Sequence, residues 1–334
     1  MVKNGSRLIG VVVLALIIYA LRERPWGEVL VGIKLHWIFV SFLLNIPQLW
    51  TKSIRWNLML REGGVFYRQT ASFYIYISCL FLGIVTPGRI GELLKAVYVY
   101  KEKNTSFSHA FGATVQDRIF DLYFLLILSF LGVAHFGLAA MITSISWLVG
   151  VCVLLAPLVA LSPTFRNRIG QKIYHIIAAK LPLESDLTLS TKEFLQNLIP
   201  RSLGSVSISV ILTCFSYSLY FVQCYLIALA MGIDIVTTPF QLIFAIAITN
   251  LVSFIPVSIS GIGTRDAALI ILFGHLSLEP EYAIVYSSLM LLVFYLGGGI
   301  LGVVAYWRRP LKWAYIRDLK DSLTTRAPRV DHSQ

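Results

Sequence analysis

The chain has 334 residues, of which 57% are hydrophobic and only 13% are charged. Its mean hydropathy of +0.75 excludes a water-soluble domain of this length and indicates a polytopic membrane protein. The formal net charge is +11, but the basic residues lie at the ends of apolar runs, where they fix membrane topology and contact anionic headgroups. Nucleic acid is therefore not expected as a partner.

Six apolar runs predict full transmembrane helices. The first, Leu8 to Leu21, follows Lys3 and Arg7 and lacks a small-residue cleavage site, so we expect a span or signal anchor rather than a cleaved signal peptide. The others are Trp37 to Trp50, Ile119 to Phe136, Ile145 to Leu161, Leu203 to Met231 and Ile284 to Trp307. The predicted fold class is an all-α polytopic membrane protein with about six full transmembrane helices.

Two further apolar regions, Ala71 to about His109 and Phe240 to about Leu276, are each interrupted by a glycine motif. An interrupted helix at membrane depth is stable only inside protein or beside a wet cavity, so each break predicts a cavity. A helix that starts at such a break points free N–H groups at the cavity, which favours an anion. After the first break, three charged residues follow at three-residue steps on one helix face: Arg89, Glu92 and Lys95.

The second break contains the sequence ISGIGTRDAALI. Here Thr264 is predicted to cap the following helix, Asp266 complements its dipole, and Arg265 offers a bidentate donor. The two breaks also share an Ile-Gly step, at Ile90-Gly91 and at Ile262-Gly263. These features predict similar broken helices in the two halves of the chain.

A third charged cluster, QDRIFDLYFLL, lies at the start of a predicted span. Arg118 and Asp121 are three residues apart and are expected to pair, while Asp117 and Asp121 share a helix face. Charged side chains at such positions are costly unless paired or facing water, so they are functional candidates. The alternative is that they only anchor the helix end.

Positively charged segments set the expected topology. Lysine and arginine are concentrated between Thr164 and Arg201 and after Trp307, so both segments are predicted to be cytoplasmic. Both stay on that side if each glycine-containing region is a re-entrant hairpin, and the two hairpins then suggest an inverted repeat. Ordinary full spans stay open as the alternative. We expect one transmembrane domain over residues 1–307 with a cytoplasmic amphipathic loop at 164–201, a basic tail at 308–334, and both termini in the cytoplasm.

Several kinds of site are not expected. The cysteines Cys79, Cys152, Cys214 and Cys224 have no CxxC spacing, which argues against disulfides and a zinc site. The histidines lack the spacings that place two metal ligands on one helix face, and the chain lacks a GxxxxGK[ST] loop for ATP. We therefore predict neither a metal site nor a cofactor.

Three motifs, TPGRIGELLKAVYV, DRIFD and SGIGTRDAALIILF, occur in this order along the chain. Together they resemble the lysylphosphatidylglycerol synthase transmembrane-region family of flippase-like membrane proteins. One departure is the Ser258-Ile259-Ser260 stretch, where the family commonly has a Pro-Gly pair. The resemblance assigns the candidate substrate-binding and translocation residues as Pro87, Gly88, Gly91, Glu92 and Lys95, then Asp117, Arg118 and Asp121, then Gly261, Gly263, Arg265 and Asp266; Arg89 is added from the residue pattern.

The resemblance implies movement of a phospholipid or lipid-linked sugar across the cell membrane. In fused members a soluble aminoacyl-transferase domain accompanies this region; it is absent here, so synthase activity is not expected. Two alternatives stay open: an accessory subunit for a lipid-modifying synthase or glycosyltransferase, and a lipid headgroup transferase, for which we find no nucleophile with a partnered base. The glycines from Gly297 to Gly302 permit helix contact within one chain or in a homo-oligomer.

Polar stripes on the predicted spans are candidates for lining a groove. They comprise Asn45, Gln48 and Lys52 on one span and Tyr217, Tyr220 and Gln223 on another, at helical spacing. Polar stripes in membrane helices also serve simply to join helices, which is the alternative.

Overall fold

The computed structural model describes Tyr19 and residues 26–84, 87–103, 105–138, 202–233, 239–253 and 263–308. Within these ranges every regular element is a helix, which confirms the all-α fold class. The predictions for Leu8 to Leu21 (apart from Tyr19), Ile145 to Leu161, the loop at 164–201, Gly261 and the tail beyond Arg308 lie outside the described residues.

The described part of the first half contains six α-helices and one 3₁₀ helix. They are α1 (Trp26–Val31), α2 (Leu35–Leu43), α3 (Asn45–Glu62), α4 (Gln69–Ile84), the 3₁₀ helix (Pro87–Leu94), α5 (Lys95–Lys103) and α6 (Phe107–His135).

The described part of the second half contains α7 (Leu203–Ala230), α8 (Pro239–Ser253), α9 (Thr264–Gly274), α10 (Pro280–Met290), a π-helical segment (Leu291–Leu296) and α11 (Gly297–Arg308). Three helical stretches in the described residues are long and apolar enough to cross a membrane: Phe107–His135, Gly204–Ala230 and Pro280–Arg308. They cover three of the six predicted spans.

The predicted span from Trp37 to Trp50 is two helices, α2 and α3, separated at Leu44. Pro47 lies three residues beyond this break, and a proline ring clashes with the carbonyl of the residue four positions before it, which is Leu43. Helix α3 also continues past Trp50 to Glu62, and its polar residues are buried against other helices rather than facing lipid. The helix therefore extends beyond the predicted span, because the polar segment after Trp50 packs inside the protein.

At the first glycine break the chain folds back on itself. Helix α4 ends at Ile84, and the 3₁₀ helix that starts at Pro87 packs against the end of α4. Gly91 lies so close to Leu82 that a Cβ atom on Gly91 would clash with the Leu82 carbonyl. Close backbone approach therefore requires glycine here, and the segment forms a helical hairpin.

At the second break Gly263, not Thr264, is the N-cap of α9. Gly263 has a φ of 83°, a left-handed conformation that glycine adopts without steric cost. Its backbone N–H donates to Oδ2 of Asp266 at 2.7 Å. The carboxylate of Asp266 thus lies in the first turn of α9, as the dipole argument predicts, while Thr264 is already inside the helix.

The two halves pack on each other reciprocally. Among the described helices, a long helix of each half packs on the helix before the break of the other half: α6 on α8, and α11 on α4. Helices α3 and α7, one from each half, also pack together. Even the close contacts correspond, because Gly132 of α6 lies against Phe244 of α8 and Gly302 of α11 lies against Phe81 of α4. This is the packing expected of two repeats related by a two-fold axis.

Candidate functional site

A cavity of about 130 Å³ lies where the two halves meet. Five charged side chains line it: Lys52 of α3, Glu92 of the 3₁₀ helix, Arg118 and Asp121 of α6, and Arg265 of α9. The hydroxyl and amide side chains in its wall are Asn45, Gln48, Tyr76, Tyr217, Tyr220, Asn250, Ser253 and Tyr295. Both glycine breaks and the DRIFD motif therefore contribute to one cavity.

A buried chain of ion pairs supports one side of the cavity. Lys52 Nζ lies 3.0 Å from Oδ2 of Asp121, whose Oδ1 accepts a hydrogen bond from Arg55 Nη2 at 2.8 Å. Arg55 Nη2 is also 2.8 Å from Oδ1 of Asp117, and Asp117 Oδ2 is 3.0 Å from Lys95 Nζ. Arg55, Asp117, Asp121 and Lys95 are each at most 2% exposed. Pairing of this kind makes burial of the charges tolerable, because each is compensated by hydrogen-bonded partners.

Helical geometry explains how Glu92 and Lys95 both reach α6. In a 3₁₀ helix three residues complete one turn, so residues three apart are aligned. Glu92 forms an ion pair with Arg118, and Lys95 pairs with Asp117. The predicted shared face of the motif is thus observed for these two residues; the side chains of Pro87, Gly88 and Arg89 lie outside the described part of the chain.

The predicted pair between Arg118 and Asp121 is wrong. Arg118 pairs with Glu92, whereas Asp121 pairs with Lys52 and Arg55. Three residues of an α-helix advance about 300°, which leaves the two side chains about 60° apart around the axis. Arg118 therefore faces the 3₁₀ helix and Asp121 faces α3.

The second break has its own buried polar cluster. Arg265 Nε donates to Oγ of Ser287 at 2.9 Å, and Arg265 Nη2 donates to the Ser287 carbonyl oxygen at 3.1 Å. The Ser287 hydroxyl in turn donates to Oδ1 of Asp266. Ser287 of α10 therefore fixes both charged residues of the motif, and Arg265 is oriented toward the cavity.

The π-helical segment supplies two aromatic residues of the wall. Phe294 and Tyr295 line the cavity. Asn45 Nδ2 donates at 3.0 Å to the carbonyl oxygen of Val293. A side-chain donor from the other half thus bonds a carbonyl in the segment where the hydrogen-bond register changes, as is common for π-bulges at functional sites.

The predicted residues take three kinds of position. Glu92, Arg118, Asp121 and Arg265 line the cavity. Gly91 and Gly263 shape the backbone at the two breaks. The remaining charged candidates, Lys95, Asp117 and Asp266, bond to residues in the polar clusters described above.

Sequence reasoning missed Arg55, Ser287 and Thr213. Thr213 Oγ1 accepts a hydrogen bond from Arg55 Nη1 at 2.6 Å, which links α3 to α7. A signal for Arg55 existed, because it continues the stripe of Asn45, Gln48 and Lys52 at helical spacing. Asn45, Gln48 and Lys52 line the cavity, and so do Tyr217 and Tyr220 of the second predicted stripe. Gln223 of that second stripe instead donates a hydrogen bond to Gln48.

Comparison with known proteins identifies similar chains. A family model described as the lysylphosphatidylglycerol synthase TM region matches residues 7–302. A UPF0104 membrane protein of Methanothermobacter thermautotrophicus is 26% identical over 256 residues, which cover 71% of this chain and 73% of that protein. A UPF0104 membrane protein of Methanocaldococcus jannaschii is 22% identical over 292 residues, which cover 83% of this chain and 86% of that protein. No solved structure shows significant similarity to the chain.

Proposed function

The chain belongs to the lysylphosphatidylglycerol synthase TM-region family, and from this premise we propose that it moves a phospholipid or lipid-linked headgroup across the membrane without an ATPase of its own. The observation that carries the proposal is the cavity to which both glycine breaks contribute, through Glu92 and Arg265. In transporters built from inverted repeats, the substrate binds between the repeats at broken helices, and rocking of one repeat against the other exposes the site alternately.

The chemistry of the cavity suits a polar headgroup. A headgroup that leaves water needs charged and hydrogen-bonding partners, and Lys52, Arg118 and Arg265 supply donors beside amide and hydroxyl side chains. Acyl chains need an apolar surface, and exposed side chains such as Ile127 and Leu131 of α6 provide one on the outside of the helices. A lipid could therefore pass with its headgroup in protein and its tails in the bilayer.

We also propose that the protein resides in the cell membrane with both termini in the cytoplasm, following the concentration of basic residues in two segments of the sequence.

The test is lipid movement in liposomes that contain the purified protein. Fluorescent phospholipids and a fluorescent lipid-linked sugar are followed by their accessibility to an external quencher. We compare Arg118→Gln and Arg265→Gln, one from each half, with Arg68→Gln, which removes an exposed arginine between α3 and α4. Thermal unfolding of each variant in detergent shows that it is folded.

We expect movement by the unaltered protein and by Arg68→Gln. Either cavity variant should slow movement by about tenfold or more, because a hydrogen bond to a charged group contributes about 1.5–3 kcal/mol. Failure of the folded protein to move any of these lipids would contradict the proposal and favour the accessory role. If both cavity variants are folded and move lipids as fast as the unaltered protein, the cavity is not part of the translocation pathway.

A further inference from the structure

In two ion pairs that line the cavity, the cation is more exposed than its carboxylate partner. The side chain of Lys52 is 15% exposed while its partner Asp121 is 2% exposed. The side chain of Arg118 is 21% exposed while its partner Glu92 is 2% exposed. In both ion pairs the ammonium or guanidinium group is therefore the more accessible partner, although Asp121 and Glu92 also contribute to the cavity wall.

Glu92 is the buried partner of Arg118. Its Oε1 has no hydrogen-bond partner among the described residues and is buried. The side chain instead packs on Gly83 of α4, where a Cβ atom would lie 3.3 Å from Glu92 Oε1. This oxygen therefore lies against α4, although Glu92 also forms part of the cavity wall.

Three of the four tyrosine rings that line the cavity lie close to cations of the chain, and the fourth, Tyr220, packs against Phe294. Lys52 Nζ lies 4.8 Å from the centroid of the Tyr217 ring, and Lys95 Nζ lies 4.1 Å from that of Tyr76. On the opposite side, Arg265 Cζ lies 5.9 Å from the centroid of the Tyr295 ring. Aromatic faces are the surfaces that bind quaternary ammonium and other ligand cations. A cationic ligand would have to displace a lysine or arginine to reach them.

The net charge of the cluster also favours a ligand with a negative charge. In the described residues of the cavity and its supporting networks, the cations are Lys52, Arg55, Lys95, Arg118 and Arg265, and the carboxylates are Glu92, Asp117, Asp121 and Asp266. The cluster therefore carries one more positive than negative charge. A buried net charge is costly, and a ligand with one negative charge would neutralise it.

We propose that the cavity binds the phosphate group of its lipid through Lys52 and Arg118 and rejects headgroups with a net positive charge; this inference rests on the function proposed above. The volume of about 130 Å³ is below the roughly 300–1,000 Å³ of pockets that enclose a whole small molecule. It accommodates the phosphate and adjacent polar atoms, not a complete lipid.

The test measures binding in detergent and does not depend on lipid movement. Native mass spectrometry counts lipids retained by the protein when phosphatidylglycerol, phosphatidylcholine or lysylphosphatidylglycerol is added, and inorganic phosphate is added as a competitor. The variants are Lys52→Met and the double change Arg118→Gln with Glu92→Gln, which removes an ion pair without changing the net charge. Lys34→Met, at an exposed lysine outside the cavity, is the matched control.

We expect phosphatidylglycerol to bind at least about tenfold more tightly than lysylphosphatidylglycerol, a difference of about 1.4 kcal/mol, because both lipids carry the phosphate but only the lysyl group adds positive charge that Lys52 and Arg118 repel. Lys52→Met should lose this preference. The double variant keeps the net charge but lacks one of the two phosphate donors, so it should bind phosphatidylglycerol about tenfold more weakly. Lys34→Met should keep the preference, and millimolar phosphate should weaken binding of phosphatidylglycerol. Equal or tighter binding of lysylphosphatidylglycerol would overturn the inference. An unchanged preference in Lys52→Met together with undiminished binding of phosphatidylglycerol by the double variant would also overturn it. Saturation by inorganic phosphate without retention of any phosphatidylglycerol would also overturn it.

The two proposals fail separately. Selective binding of phosphatidylglycerol by a protein that moves no lipid in liposomes would retain the phosphate site and refute translocation. Movement of anionic and cationic lipids at equal rates and with equal binding would retain translocation and refute the selectivity.

Discussion

Arg55 of α3 donates to a single oxygen of Asp117 in α6 through two nitrogens, Nε at 2.9 Å and Nη2 at 2.8 Å. The same Nη2 donates to the backbone carbonyl oxygen of Asp117 at 3.0 Å. Both side chains are almost completely buried. This pair joins two helices of the first half directly behind the cavity, so it holds Lys52 and Asp121 in place.

We predict that Asp117→Asn destabilises the protein strongly. The change leaves Lys95 without its carboxylate and weakens the bonding of Arg55, and removing one partner of a buried ion pair costs about 3–5 kcal/mol. The measurement is denaturant or thermal unfolding in detergent. Glu102→Gln, which neutralises an exposed carboxylate in α5, should have little effect. Equal stability of the two variants would show that the buried network does not hold α3 to α6.

We predict that Gly302→Ala disrupts the contact between the two halves whereas Gly299→Ala does not. A Cβ atom on Gly302 would lie 2.8 Å from the carbonyl oxygen of Ile77 and would clash with Phe81, while a Cβ on Gly299 has nothing within 4 Å. Overpacking at such a site costs about 1–3 kcal/mol. Alanine at the open site is neutral or stabilising, because glycine in a helix interior is less favourable than alanine by about 0.8–1.0 kcal/mol.

Unfolding of these two variants in the same detergent provides the comparison, since both changes lie on one helix and add the same methyl group. If Gly302→Ala is as stable as Gly299→Ala, the packing of α11 on α4 is incorrect.

We predict that Ser287→Ala lowers both stability and lipid movement. The Ser287 hydroxyl accepts from Arg265 and donates to Asp266, so its removal leaves each of these two buried charged groups with one hydrogen bond fewer. An unsatisfied buried group costs about 1–3 kcal/mol. Ser288→Ala is the control, because the neighbouring hydroxyl is exposed and only bonds the carbonyl of Ile284 in its own helix.

The readouts are the unfolding midpoint and the rate of lipid movement in liposomes. Loss of stability with an unchanged rate would mean that Ser287 supports the fold but does not position Arg265 for transport. No change in either quantity would contradict the arrangement at the second break.

The sequence was sufficient to predict the membrane class, the all-α fold and the family, because hydropathy and ordered motifs are properties of the chain itself. It also predicted that Glu92 and Lys95 share a face, since local helical spacing determines this. It could not predict that Arg118 pairs with Glu92, because that choice depends on where the 3₁₀ helix packs against α6.

Other features depended on tertiary packing in the same way. Arg55 lies in a polar segment that hydropathy alone assigns to the outside of the membrane, and its burial requires Asp117 and Asp121 to face it from α6. Gly263 is the N-cap because the backbone adopts a positive φ there, and Thr264 is the residue that sequence preference favours. In both cases a distant contact or a backbone conformation outweighed the local pattern.

The most direct test of the central claim introduces a single reactive group into the cavity. Ser253 lines the cavity from α8 and is close in size to cysteine. In liposomes, lipid movement by Ser253→Cys is measured before and after modification with a charged methanethiosulfonate reagent. The unaltered protein controls for the native cysteines, and Ile300→Cys, on an exposed face of α11, controls for modification elsewhere.

The account predicts that Ser253→Cys moves lipids until the reagent is added and then stops, while the unaltered protein and Ile300→Cys continue at their starting rates. Because each sample is compared with itself, differences in folding between variants do not affect the result. Undiminished movement by Ser253→Cys after mass spectrometry shows complete modification would contradict the claim that headgroups pass through this cavity.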